Sequence, residues 1–136
     1  MNFEEDADEY IRRDIEGNDI LTRRRSACDL VRGLCEHNNE AVTANFGAYI
    51  TNLLQQYAAD PANNWRQKDV AIYLVIALSA TGGNAYLGAT KTNALIPIMD
   101  FCKSAILPEL SAYPNNHPVI QADALKFVTT FRNQVL

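Results

Sequence analysis

The chain has little of what builds a catalytic or metal centre. Its only cysteines are Cys28, Cys35 and Cys102, an odd number with no CxxC pair, and its two histidines, His37 and His117, lie far apart. That inventory does not supply a zinc set. All three cysteines are expected as small core residues of a reduced, intracellular protein. There is no nucleophile elbow, no P-loop and no HExxH motif. Gly82-Gly83 is not followed by Lys-Ser or Lys-Thr, and it closes a helical pattern instead of opening one. Carboxylates cluster only in the N-terminal flank, where nothing desolvates them enough to shift a pKa. No catalytic residue, no cofactor and no metal are expected.

Long apolar runs are also missing. The longest, Val70 to Leu78, falls well short of the roughly 18–20 residues that cross a bilayer. The N-terminus is acidic where a secretory signal would be basic and then apolar. Residues 1–9 are nearly devoid of apolar side chains and the chain stops inside a helical pattern, which suggests a piece of a longer protein.

Charge is unevenly spread. The formal net charge is −4, yet residues 1–20 hold eight acids (Glu4, Glu5, Asp6, Asp8, Glu9, Asp14, Glu16, Asp19) against Arg12 and Arg13. The remaining residues hold ten bases and eight acids. An acidic segment abutting Arg23-Arg24-Arg25 points to a protein contact or an internal clasp, and against a broad nucleic-acid surface. A solvated charged flank is the plainer alternative.

What is abundant is apolar content, 48% of 136 residues, enough for a continuous core. Its periodicity is helical. A short helix fits Asp6 to Ile15, stopped at Gly17. A second, about 20–37, carries Ala27, Leu30, Val31, Leu34 and Cys35 as one stripe. Asn38-Asn39 breaks it and caps a third, about 40–59, with the stripe Val42, Phe46, Tyr49, Ile50, Leu53, Leu54 and Tyr57. Asp60-Pro61 ends that helix. Residues 64–81 include a β-branched run that could form a strand, but their length without Gly or Pro favours a helix covered on several sides. A polar loop follows to about Asn93. A fifth helix, about 94–110, carries Ile98, Phe101, Cys102, Ala105 and Ile106, with Pro97 in its first turn and Pro108 expected to bend or truncate its end. His117-Pro118 starts a sixth, with Ile120, Ala124, Phe127, Val128 and Phe131 on one face.

The helices repeat. A shift of 44 lays Leu30 on Leu74 and Leu34 on Leu78; a shift of 52 lays Phe46 on Ile98, Tyr49 on Phe101 and Leu54 on Ile106. A two-helix period in the forties or slightly above belongs to HEAT or armadillo stacks. The expected fold is therefore an all-α superhelix of about two and a half helix pairs over 20–136, preceded by a charged insertion at 1–19. A plain helical bundle is the competing architecture.

Tyr10 to Asp19 (Tyr-Ile-Arg-Arg-Asp-Ile-Glu-Gly-Asn-Asp) and Thr22 to Val31 (Thr-Arg-Arg-Arg-Ser-Ala-Cys-Asp-Leu-Val) resemble the importin-α re-export receptors of the karyopherin-β family. The likeness continues through Gln56-Tyr57, Asn64-Trp65, Lys68-Asp69, Ile72 to Leu74, Ile106 to Leu110 and Phe131 to Gln134. It fits less well at 82–93 and 111–117. The resemblance implies a HEAT solenoid that binds importin-α together with Ran-GTP in the nucleus and releases both in the cytoplasm. It implies no enzyme activity, nucleic-acid partner or membrane partner. It also implies that Glu4, Glu5, Asp6, Asp8, Glu9, Tyr10, Arg12, Arg13, Arg23, Arg24 and Arg25 belong to an inserted stretch that contacts Ran or links distant parts of the receptor. An adaptor or assembly scaffold with the same stack and other partners is the alternative. The cut ends of such a stack expose apolar surface and favour self-association.

Overall fold

The computed structural model describes residues 23–81, 91–93 and 95–135. The helix expected at Asp6 to Ile15 lies outside them. The described chain is helical almost throughout: α1 (Arg23–His37), α2 (Asn39–Ala59), α3 (Trp65–Ser79), α4 (Ile98–Phe101), a π-helical turn (Cys102–Ile106), α5 (Leu107–Ser111), α6 (Pro118–Thr130) and α7 (Arg132–Val135). The elements α4, π turn and α5 follow one another without a break.

The strand-or-helix ambiguity at 70–78 resolves as helix. The run packs on α1, α2 and α6 at once, and Ala71, Ile72, Val75, Ala77 and Leu78 are all buried. A helix that is apolar all round is stable only when its neighbours cover it all round, as they do here. Fully burying each large aliphatic side chain contributes about 1.5–3 kcal/mol, so α3 is the centre of the stack. Phe127 lies between Phe101 (5.4 Å between centroids) and Phe131 (4.8 Å), in the tilted geometry that aromatic pairs prefer.

Side-chain pairs fix the direction of the helices. The start of α2 (Asn39, Thr43) lies beside the end of α3 through Asn93, and its end (Tyr57) lies beside Lys68 at the start of α3. These two helices are antiparallel. Trp65 meets His117, and Tyr73 meets Lys126, so α3 and α6 run parallel at an offset of 52 to 53 residues. Tyr57 meets Glu109 at the same offset of 52. The shift of 52 read from apolar spacing is therefore a spatial offset, while the shift of 44 lays exposed Leu34 on buried Leu78 and is not a match of buried faces. The pair α2/α3 stacks on the pair (α4–α5)/α6, and α1 is the half pair packed on the other side of α3.

Several expectations change in detail. In α1 the buried side is Cys28, Val31 and Cys35; Ala27 is exposed, and Leu30 and Leu34 are 64% and 44% exposed. One helix face can turn to α3, and no described element covers the other. Tyr49, placed in the α2 stripe, is half exposed, and Thr43 takes a buried position instead. Of the cysteines only Cys102 is buried; Cys28 and Cys35 are half-buried.

Asn38 precedes α2 without a side-chain cap, and the amide of Asn39 is used elsewhere. The 82–93 connection, expected as loop alone, is pinched at its base by a two-residue antiparallel ribbon pairing Ala80 with Thr92 and Thr81 with Lys91. Pro97 sits just before α4, not within its first turn. Pro108 does not truncate its helix, which continues to Ser111. Proline lacks the N–H for an i−4 bond and crowds that carbonyl, and here the preceding turn widens to π geometry, with Leu107 N–H donating to Cys102 O.

Candidate functional site

Of the residues expected to touch a partner, Glu4, Glu5, Asp6, Asp8, Glu9, Tyr10, Arg12 and Arg13 lie outside the described residues. Arg23, Arg24 and Arg25 form the first turn of α1, with no acid among them.

The described residues carry three polar clusters that sequence reasoning left without a role. The first joins α2, α3 and α5. The Tyr57 hydroxyl lies 2.9 and 3.1 Å from the two carboxylate oxygens of Glu109 and donates to the carboxylate. Lys68 Nζ stands 3.7 Å from Glu109 Oε1 and 4.7 Å from the centre of the Tyr57 ring. Lys68 and Glu109 are only 5% and 8% exposed. Burial, then the hydrogen bond to Glu109 and its charge, push the Tyr57 hydroxyl well above its ordinary range. Burial lowers the Lys68 pKa; the charge and hydrogen bond of Glu109 pull the other way and do not fully offset it. Asn116 Nδ2 donates to the Glu109 carbonyl at 2.9 Å, which holds the following turn to the same residue.

The second cluster is a flat stack at the starts of α3 and α6. The rings of His117 and Trp65 are 4.0 Å apart and 11° from parallel, with the Arg66 guanidinium 4.7 Å from the indole centre. His117 is also the N-cap of α6, its Nδ1 accepting from Val119 N–H at 3.1 Å. That bond requires the neutral ring with its proton on Nε2. Burial and Arg66 lower the His117 pKa, and Asp69 opposes them.

The third is centred on Asn93. Its Nδ2 lies 2.7 Å from Asn39 Oδ1 and 3.2 Å from the Leu78 carbonyl, while Asn39 Nδ2 donates back to Asn93 Oδ1 at 3.1 Å. Thr43 Oγ1 completes the knot by donating to Asn39 Oδ1 at 2.9 Å.

In the first and third, polar side chains bond one another across helix boundaries; in the second, two rings stack across one while the hydrogen bond of His117 stays within α6. No group of three or more His, Cys, Asp or Glu among the described residues is arranged to hold a metal. Among the described residues no helix is long and apolar enough to cross a membrane. No sequence signal could have joined Tyr57, Lys68 and Glu109. Only the offset of 52, already visible in the apolar stripes, hinted that Tyr57 and Glu109 occupy equivalent places.

Comparison with known proteins agrees with this architecture. The Cse1 family model matches residues 2–136. Exportin-2 of Bos taurus is 50% identical over 134 residues, which is 98% of this chain and 14% of that protein. Human exportin-2 is 49% identical over the same coverage, and that of Drosophila melanogaster 48% over 132 residues. The chain thus spans about a seventh of the length of these relatives. The solved structure of the exportin Cse1 in its cargo-free, cytoplasmic state superposes with a TM-score of 0.85 at 43% identity, covering 98% of this chain and 14% of that one. The helix pairs are accordingly a stretch of a HEAT-repeat superhelix. With a family match over nearly its whole length and close to half its residues shared with exportin-2 proteins, the chain belongs to the Cse1 family.

Proposed function

We propose that the chain is a middle segment of a nuclear transport receptor that carries importin-α out of the nucleus in complex with Ran-GTP and shuttles between nucleus and cytoplasm. Its work is protein binding and not catalysis. The observation that supports this best is the collinear identity with exportin-2 over 98% of the chain, together with the close structural match to an exportin. Stacked helix pairs couple only to their neighbours, so a long array bends at modest cost and a bound GTPase can bias its shape.

Within this reading, Glu4, Glu5, Asp6, Asp8, Glu9, Tyr10, Arg12 and Arg13, with Arg23 to Arg25, form the contact to Ran or to a distant part of the same receptor. The acids steer a basic partner surface, and the basic first turn of α1 takes an anionic one. The test is to replace Glu4, Glu5, Asp6, Asp8 and Glu9 by their amides in the full-length protein and measure Ran-GTP affinity against salt. Weaker binding, most visible at low salt, is expected. Unchanged affinity at both low and moderate salt removes the role of this flank.

A further inference from the structure

The contact between the pair α2/α3 and the pair (α4–α5)/α6 is mostly apolar. Ala71, Ile72 and Val75 share one core with Ile106, Ala124 and Phe127. Apolar contact is strong but non-directional, so it resists separation better than it resists sliding or rotation. Into this contact the fold inserts a directional group, the Tyr57–Lys68–Glu109 cluster. It joins the last turn of α2, the first turn of α3 and α5.

Its geometry is a poor way to gain stability. Lys68 and Glu109 are withdrawn from water, yet their charged atoms stand 3.7 Å apart, long for a hydrogen-bonded ion pair. The lowered Lys68 pKa says that desolvation outweighs what Glu109 returns. Buried ion pairs of this kind often contribute nothing net when weighed against an apolar group of the same size, and their best attested use is to choose one register among several. The Tyr57 hydroxyl adds what a register device needs. It meets both carboxylate oxygens of Glu109 at once, and so defines where the end of α2 sits relative to α5.

We propose that the Tyr57–Lys68–Glu109 cluster is a registry latch between successive helix pairs, selecting the angle at which one pair sits on the next while adding little net stability. In a flexible solenoid such a latch sets the curvature of one joint without stiffening the core.

The test uses the full-length protein with Tyr57→Phe, Lys68→Met and Glu109→Leu introduced singly and together. Spin labels on non-natural side chains go at Gln55 and Thr129, which are exposed and lie on the two pairs. Backbone amide exchange of α3 reports stability, and the label-to-label distance distribution reports register. Lys68→Met alone leaves Glu109 buried beside no cation and should speed α3 exchange on the order of 100-fold or more. The triple variant should return exchange to within a few-fold of wild type, with a shifted or broadened distance distribution. An unchanged distribution in the triple variant overturns the proposal. So does exchange as fast as in the single variant, which would make the cluster a source of stability and not of register.

Discussion

The imidazole of His117 lies flat on the indole of Trp65, and its Nδ1 accepts the Val119 N–H that opens α6. One ring therefore both glues α6 to α3 and caps α6. The two jobs respond differently to a proton: stacking on an indole tolerates a cation, whereas a protonated Nδ1 has no lone pair for the cap.

This gives a pH dependence with a definite sign. The folded-state pKa of His117 is lowered from 6.5. Between those two values the unfolded chain binds the proton and the folded chain does not, so stability is full above about pH 6.5 and is lost as pH falls through the folded value. His117→Asn keeps a capping oxygen that does not titrate. Denaturant midpoints should fall more steeply below about pH 6.5 in the wild type than in His117→Asn. Parallel profiles would remove His117 as the titrating group.

Asn93→Ala should loosen the base of the 82–93 connection. The substitution removes the reciprocal amide pair with Asn39 and the bonds to Thr43, Leu78 and Leu95. Asn39 is exposed and Thr43 keeps its bond to it, so the cost is that of ordinary hydrogen bonds, about 0.5–1.5 kcal/mol. Amide exchange at Leu95 and Ile96 should quicken before that of the α3 core does.

Phe127 and Leu125, two residues apart on α6, should respond very differently to alanine. Phe127 is fully buried between two other phenylalanines, so its loss should cost about 3–5 kcal/mol. Leu125 is 58% exposed, so its loss should cost within about 0.5 kcal/mol in this chain. Urea midpoints of the two variants check the contrast.

Leu30 and Leu34 form an apolar row on the side of α1 turned away from α3. At concentrations where the chain associates, Leu30→Gln with Leu34→Gln should shift sedimentation towards monomer and leave helix content unchanged, because neither side chain is in the core. Association that is indifferent to both substitutions would place the sticky surface elsewhere.

Much of this architecture was readable beforehand. Helix positions followed from apolar spacing because a helix interior needs only a period and two ends. The spatial offset of 52 was visible in the match of Phe46 with Ile98 and Leu54 with Ile106, because equivalent helices bury equivalent stripes. The errors fell where burial depends on which neighbour is present. Leu30 and Leu34 have the spacing of a core stripe, but α3 covers only the Cys28–Val31–Cys35 side. Pro108 reads as a bend or an end of its helix, and the structure keeps the helix going to Ser111 through a wider turn before the proline.

The sequence by itself determined the class of fold, the pairing of helices and the family, because periodicity, breaker residues and a collinear resemblance are properties of order along the chain. It also marked the acidic flank and Arg23 to Arg25 as the part unlike a core. Only the tertiary structure decided which polar side chains meet. Glu109 lies 41 and 52 residues from Lys68 and Tyr57, and Trp65 and His117 or Asn39 and Asn93 are as far apart along the chain. A single Lys, Glu, His or Asn has no period to announce its partner. Its role is set by distance in space, and that distance exists only once the pairs have stacked.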